Sequence, residues 1–172
     1  QDGPFGPNLA RAPLAMTVPL ALLALVQQGI QMSTTMSFTT QVMKSLGAGA
    51  GFIGASSVFY MACAVVASRL GATQTFLRWG GKRLVPVMFL LSLAYCLLVP
   101  RVTWLPGLFA LQLLPGVTNA VLMAYLTGEA MARVPKQAAS TALGFFQAVY
   151  AVGMTVFPMA TGFVAGRVSV EA

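Results

Sequence analysis

The chain of 172 residues has no histidine, three acidic residues and two cysteines, and only 8% of its residues are charged. Each shortage removes a class of function. Without histidine it lacks the usual general base near neutrality. Cys63 and Cys96 alone cannot make a zinc site. Both lie inside apolar runs and read as small buried apolar residues rather than as a disulfide. The acids, Asp2, Glu129 and Glu171, give no carboxylate pair within an apolar run, and no phosphate-binding loop occurs. Serines and threonines are plentiful, but none has a partner that would activate it. No cofactor is implied, and an enzyme is not expected.

Few charges also exclude an ordinary soluble domain, which carries about a quarter charged residues. What fills the chain instead is apolar: 58% hydrophobic residues and a mean hydropathy of +0.81. A soluble sphere of this composition would have too few polar side chains to cover its surface. The chain therefore reads as an integral membrane protein whose first partner is the lipid bilayer. Its net charge of +7 does not point to nucleic acid, because the basic residues sit between apolar stretches instead of forming a patch with aromatics.

Residues 1–12, polar and rich in Gly and Pro, read as a cytoplasmic linker. Five candidate spans follow, at about 14–42, 49–69, 84–100, 105–131 and 137–166, each able to cross about 30 Å of hydrocarbon as a helix. Continuous apolar runs without two-residue alternation favour helices over a barrel. The fold class is thus an all-α membrane bundle of five transmembrane helices spanning residues 13–168, with 169–172 as an extracytoplasmic tail. Arg11, Arg69, Arg78, Lys82, Arg83, Arg133 and Lys136 fall on one side of the bundle and Lys44, Arg101 and Arg167 on the other. That asymmetry puts the N-terminus and the basic hairpin at 69–83 in the cytoplasm. An odd number of spans points to a missing sixth helix, and the start at Gln1 to a piece of a longer polypeptide.

Three constellations stand out. In the first span Gln27, Gln31, Thr34 and Gln41, with Phe38 between, share one helical face, widened by Gln28 and Thr35. Such a stripe meets protein or a water-filled cavity, either as cavity lining or as interhelical hydrogen bonds. In the fourth span Gly116, Ala120, Ala124 and Gly128 recur every fourth residue as a close-packing ridge. Gln112 and Asn119 share a neighbouring face there, with a bend expected at Pro115-Gly116. In the fifth span Gln147, Tyr150 and Met154 lie on one face, suiting an amphipathic ligand or a helix interface equally. Gly51-Phe52 before Tyr60 and Gly144-Phe145 before Tyr150 form a weak internal echo, as if spans two and five corresponded in an inverted repeat.

The basic hairpin, Gly71 followed by Arg78-Trp79-Gly80-Gly81-Lys82-Arg83, resembles the second copy of the cytoplasmic signature loop of the major facilitator superfamily. That signature has the form Gly-x-x-x-Asp-Arg-x-Gly-Arg-Arg. Leu77 stands in place of its acidic residue and Gly81 in place of a basic one, which argues against a charge-relay role for this loop. Lys44-Ser45-Leu46-Gly47-Ala48 with Gly51-Phe52-Ile53-Gly54, and the stretch from Glu129 to Gly162, are similar to further parts of that family's C-terminal half. The resemblance covers about Leu14 to Gly166, as helices seven to eleven.

It implies a fragment of a secondary active transporter of the cell membrane (a bacterial inner membrane is expected). The fragment would work by alternating access together with an N-terminal six-helix half and a last helix of the same transporter. Spans one and four would line the cavity, two and five would pack near the interface between halves, and three would face lipid. Candidate solute contacts are Gln27, Gln31, Thr34, Gln112, Asn119, Gln147 and Tyr150, and Gly71, Arg78, Gly80, Lys82 and Arg83 form the signature loop. Uncharged donors and acceptors beside aromatics and Met suit a neutral or amphipathic small molecule. The alternative is a membrane assembly or packing subunit without transport activity of its own.

Overall fold

The computed structural model describes residues 7–71 and 80–168. Among these there are no strands, and the chain runs as five helical rods. The first rod joins α1 (Pro7–Ile30), a π-helical stretch (Gln31–Phe38) and α2 (Thr39–Ser45) without a break in helical dihedrals. Next come α3 (Ala50–Gly71) and α4 (Gly81–Leu98), the latter extended by a 3-10 turn, Val99–Arg101. The fourth rod is α5 (Leu105–Leu111) followed by α6 (Leu113–Ala132). The fifth is a 3-10 turn, Lys136–Ala138, leading into α7 (Ala139–Val168).

Four of these rods are long and apolar enough to cross a membrane: Ala50–Arg69, Gly81–Arg101, Leu105–Ala132 and Lys136–Val164. The first rod, which carries the polar run, is not among the four. It also begins earlier than the sequence reading has it. Residues 7–12 are helical rather than linker, and Pro7 suits a first turn because its missing N–H has no partner to lose there. The expected tail at 169–172, residues 1–6 and Arg78 of the signature loop lie outside the described residues.

Two apolar clusters fix how the rods stand. One gathers Leu20, Ala21 and Ala24 from the first rod, Ala67 from the end of α3, Leu84 and Met88 from the start of α4, Leu126 and Ala130 from the end of α6, and Phe146 from the start of α7. The other joins Met43, Tyr95, Val99 and Leu108, which belong to the opposite ends of their rods. Consecutive rods therefore alternate in direction. Arg69, Lys82, Arg83, Arg133 and Lys136 lie towards one end of the bundle, and Lys44 and Arg101 towards the other.

Rod α6 is central and packs on α1, α3 and α4, while α1 has its most extensive contact with α7. These pairs close on glycines. A Cβ on Gly116 would stand 2.9 Å from the Tyr60 carbonyl oxygen, and one on Gly153 would strike the Leu25 carbonyl. The outward faces stay apolar: Val58, Met61, Val65 and Val66 on α3, Leu90, Leu93 and Leu97 on α4, and Val152, Val156, Met159 and Phe163 on α7 are all exposed. Faces of this kind match a lipid or protein environment.

Candidate functional site

The first rod carries most of the polar side chains of the site, and its π stretch decides which of them turn inward. The Thr39 amide donates to the Thr34 carbonyl, a five-residue step that takes up about one residue more per turn than an α-helix does. Hydroxyls share this bonding: Ser33 Oγ donates to the Gly29 carbonyl at 2.7 Å, and Thr39 Oγ1 to the Thr34 carbonyl at 2.8 Å. The buried series consequently reads Gln27, Gln31, Thr35, Thr39 and Met43. An unbroken α-helix would have placed Phe38 and Gln41 on that face, and both are exposed instead.

Polar contacts tie this face to α4. Gln27 Oε1 accepts a long hydrogen bond from Ser92 Oγ at 3.4 Å, and Thr39 Oγ1 meets the Tyr95 hydroxyl at 2.6 Å. Cys96 Sγ approaches Thr34 Oγ1 at 3.6 Å. Gln27 is thus engaged inside the bundle, in the interhelical role that such amides often play.

Towards α3 and α6 the polar groups are less fully matched. Asn119 Nδ2 donates to the Tyr60 hydroxyl at 3.2 Å, and the Gln31 amide stands beside the same hydroxyl. Gln31 Nε2, Ser56 Oγ, Gln112 Oε1 and Asn119 Oδ1 are buried without a hydrogen-bond partner. Leaving such groups unpaired costs about 1–3 kcal/mol each. Between the first rod, α3 and Gln112 lies a small cleft walled by Thr35, Met36, Thr40, Met43, Ile53, Ser56, Ser57, Tyr60 and Gln112. The space open to the centre of a water-sized sphere is about 10 Å³, room for about one such particle.

Gln112 owes its place to a break in the fourth rod. Pro115 has no N–H to offer the Leu111 carbonyl four residues back, so the helix is interrupted a turn before the proline rather than at Pro115-Gly116 as expected. Gln112 caps both pieces: its amide donates to the Phe109 carbonyl at 3.2 Å, and its carbonyl accepts from the Gly116 amide at 3.2 Å. Its side chain, 5% exposed, faces the cleft.

The other expected residues fall elsewhere. Gln147 is exposed on α7, and Tyr150 is half-buried with its ring edge-on to Phe146 at 5.9 Å; neither reaches the cleft. Of the ridge, Gly116 packs tightly and Ala120 is half-buried, whereas Ala124 and Gly128 are exposed and a Cβ on Gly128 would meet nothing. A spacing of four advances about 40° per step, so the row winds away from α3 by its lower end.

In the signature loop Gly71 ends α3, and Gly80, with φ of +64°, precedes α4 in a conformation that suits glycine. Lys82 and Arg83 are exposed, and an ion pair forms elsewhere, between Arg133 and Glu129 at 2.6 Å. The sequence reading did not single out Ser56 or Ser92. The signal was there in Ser56, four residues before Tyr60 and so on its face of an otherwise apolar helix.

No protein-family model, curated protein or solved structure matches the chain.

Proposed function

We propose that this chain is part of a secondary active transporter that moves a small neutral or amphipathic solute by alternating access. The observation that carries the reading is the pairing of the rods. The most extensive helix contacts join α1 with α7 and α3 with α6. Exchanging the first rod with the fourth, and the second with the fifth, turns each of these pairs into the other. The contact of α1 with α6 maps onto itself. Such a pattern is what a three-plus-three inverted repeat produces.

Glycines mark the equivalent places. Gly29 of the first rod lies against the Phe157 ring of the fifth, and Gly116 of the fourth against Tyr60 of the second. Under the same exchange, the contact of α4 with α6 calls for a sixth helix packed against α1. The five rods would then be the transmembrane helices seven to eleven of a major facilitator fold, with the basic hairpin facing the cytoplasm.

Within this scheme the solute contacts divide. Gln31, Gln112 and Asn119 carry unpaired polar atoms and are the stronger candidates, with Thr34 behind them. Gln147, exposed on α7, would serve only against the other half of the transporter, while Tyr150 packs on the inner apolar cluster beside Phe146. Gln27 is a structural amide. The test is uptake into proteoliposomes by the full-length protein, across a panel of labelled neutral and amphipathic solutes. One solute class should be carried, with Gln31→Ala and Asn119→Ala each losing at least tenfold at normal insertion. A correctly inserted protein that carries none of the panel would favour the assembly-subunit reading, which the broad apolar faces of α3, α4 and α7 also suit.

A further inference from the structure

We propose that the cleft between the first rod, α3 and Gln112 is a binding site for a small monovalent cation of the size of Na⁺. The inference deepens the transporter reading, with Gln112 serving the ion as well as the solute, although ion binding itself does not require transport.

Size comes first. About 10 Å³ is open to a water-sized centre, room for one particle of the size of a water or a small ion. Chemistry comes second. Six oxygen-bearing side chains line the space: Thr35, Thr40, Ser56, Ser57, Tyr60 and Gln112. Several of them present lone pairs rather than protons. Thr40 Oγ1 gives its proton to the Met36 carbonyl at 2.8 Å, and Ser57 Oγ gives its own to the Ile53 carbonyl at 3.1 Å. Gln112 Oε1 is a pure acceptor with no donor, and Ser56 Oγ, 1% exposed, has no partner at all. A single water brings two protons to this set, fewer than its acceptors can take. A bare cation, having no protons to place, takes lone pairs from each oxygen that faces it, and hard cations take oxygen ligands of this kind.

Charge decides the valence. No Asp, Glu, Lys or Arg lines the cleft. The cost of desolvating an ion rises with the square of its charge, and neutral oxygens cannot offset it for a divalent ion. A monovalent ion held by hydroxyl and amide oxygens between helices is what remains. The place fits the chemistry as well, since coupling ions in broken-helix transporters sit where a helix is interrupted, and Gln112 is such an interruption.

The test is thermal unfolding of the purified protein in nanodiscs, titrated with NaCl against choline chloride at constant ionic strength, with LiCl and KCl as further arms. The unfolding midpoint should rise saturably with Na⁺, by about 3–5 °C at tenfold excess over the dissociation constant, and less with the larger K⁺. Ser57→Ala and Gln112→Leu should each raise the half-saturating Na⁺ concentration at least tenfold, while Thr155→Val, on the exposed face of α7, leaves it unchanged. Equal midpoints of the unsubstituted protein in Na⁺ and choline would overturn the proposal, whatever the variants do. No solute enters this measurement, so its failure and that of the transport assay are told apart.

Discussion

Asn119 on α6 donates a hydrogen bond to the Tyr60 hydroxyl on α3, 3.2 Å away, directly beside the glycine contact that brings the two helices together. The bond and the close approach depend on each other. A side chain at Gly116 would push the Tyr60 backbone away and open the hydrogen bond with it. A double-mutant cycle of Asn119→Leu and Tyr60→Phe should give a coupling of about 0.6 kcal/mol and no more than about 1.7, the average and upper limit for polar pairs between membrane helices. Denaturant titration in mixed micelles measures it, and additive losses would show that the bond contributes nothing.

Glycines in this fold should respond by position rather than by type. Gly153→Ala drives a methyl into the Leu25 carbonyl, where only backbone movement relieves the clash, and should destabilise by about 1–3 kcal/mol. Gly128→Ala enters open space in a helix and should stabilise by about 0.5–1 kcal/mol. Equal effects of the two substitutions on unfolding would contradict the packing of α1 on α7.

The pair Thr39–Tyr95 should behave asymmetrically. Thr39 has one hydroxyl proton, and the Thr34 carbonyl lies 2.8 Å from its oxygen, so Tyr95 donates to Thr39 across 2.6 Å. Tyr95→Phe leaves Thr39 still bonded and should cost about 1 kcal/mol; Thr39→Val leaves the hydroxyl of Tyr95, a residue 1% exposed, with only Thr35 beside it and should cost about 1–3 kcal/mol. The order of the two unfolding midpoints checks the direction of the bond.

Sidedness follows from the alternation of the rods. On a Cys63→Ala, Cys96→Ala background, Lys44→Cys and Lys136→Cys should react with an impermeant maleimide from opposite faces of the membrane. Both positions are exposed and lie at opposite ends of the bundle. On the proposed topology Lys136 should react from the cytoplasmic face. Labelling of both from one face would break the alternation.

Much of the helical plan can be read from the residues, because long apolar runs ended by Gly, Pro and basic residues leave few other structures available. The second run, expected from 49 to 69, is a helix from Ala50 to Gly71, and the third, expected from 84 to 100, continues through Arg101. The inward faces are harder to read. Phe38 and Gln41 were expected beside Gln31, but hydroxyl groups at Ser33 and Thr39 share backbone carbonyls and lengthen the local turn, which moves Thr35, Thr39 and Met43 inward. Helical periodicity puts Gln147 and Tyr150 near one another on α7 yet says nothing of their surroundings: Gln147 is exposed, while Tyr150 packs on the inner apolar cluster. Nearby, Gly153 brings α7 against the first rod. Tertiary contact settles both cases, and no local pattern contains it.

The widened turn at Gln31–Phe38 has a consequence for the length of the chain. A stretch that holds about one residue more per turn than an α-helix is a place where a residue can be removed without shortening the path. Deleting one residue between Gln31 and Thr34 would let this stretch tighten and keep Thr39 and Met43 against Tyr95. The same deletion in α1 before Gln27 has no slack to draw on, and would turn every side chain beyond it by about 100° around the axis. Length variants of this protein should therefore be tolerated at one point of the first rod and nowhere nearby.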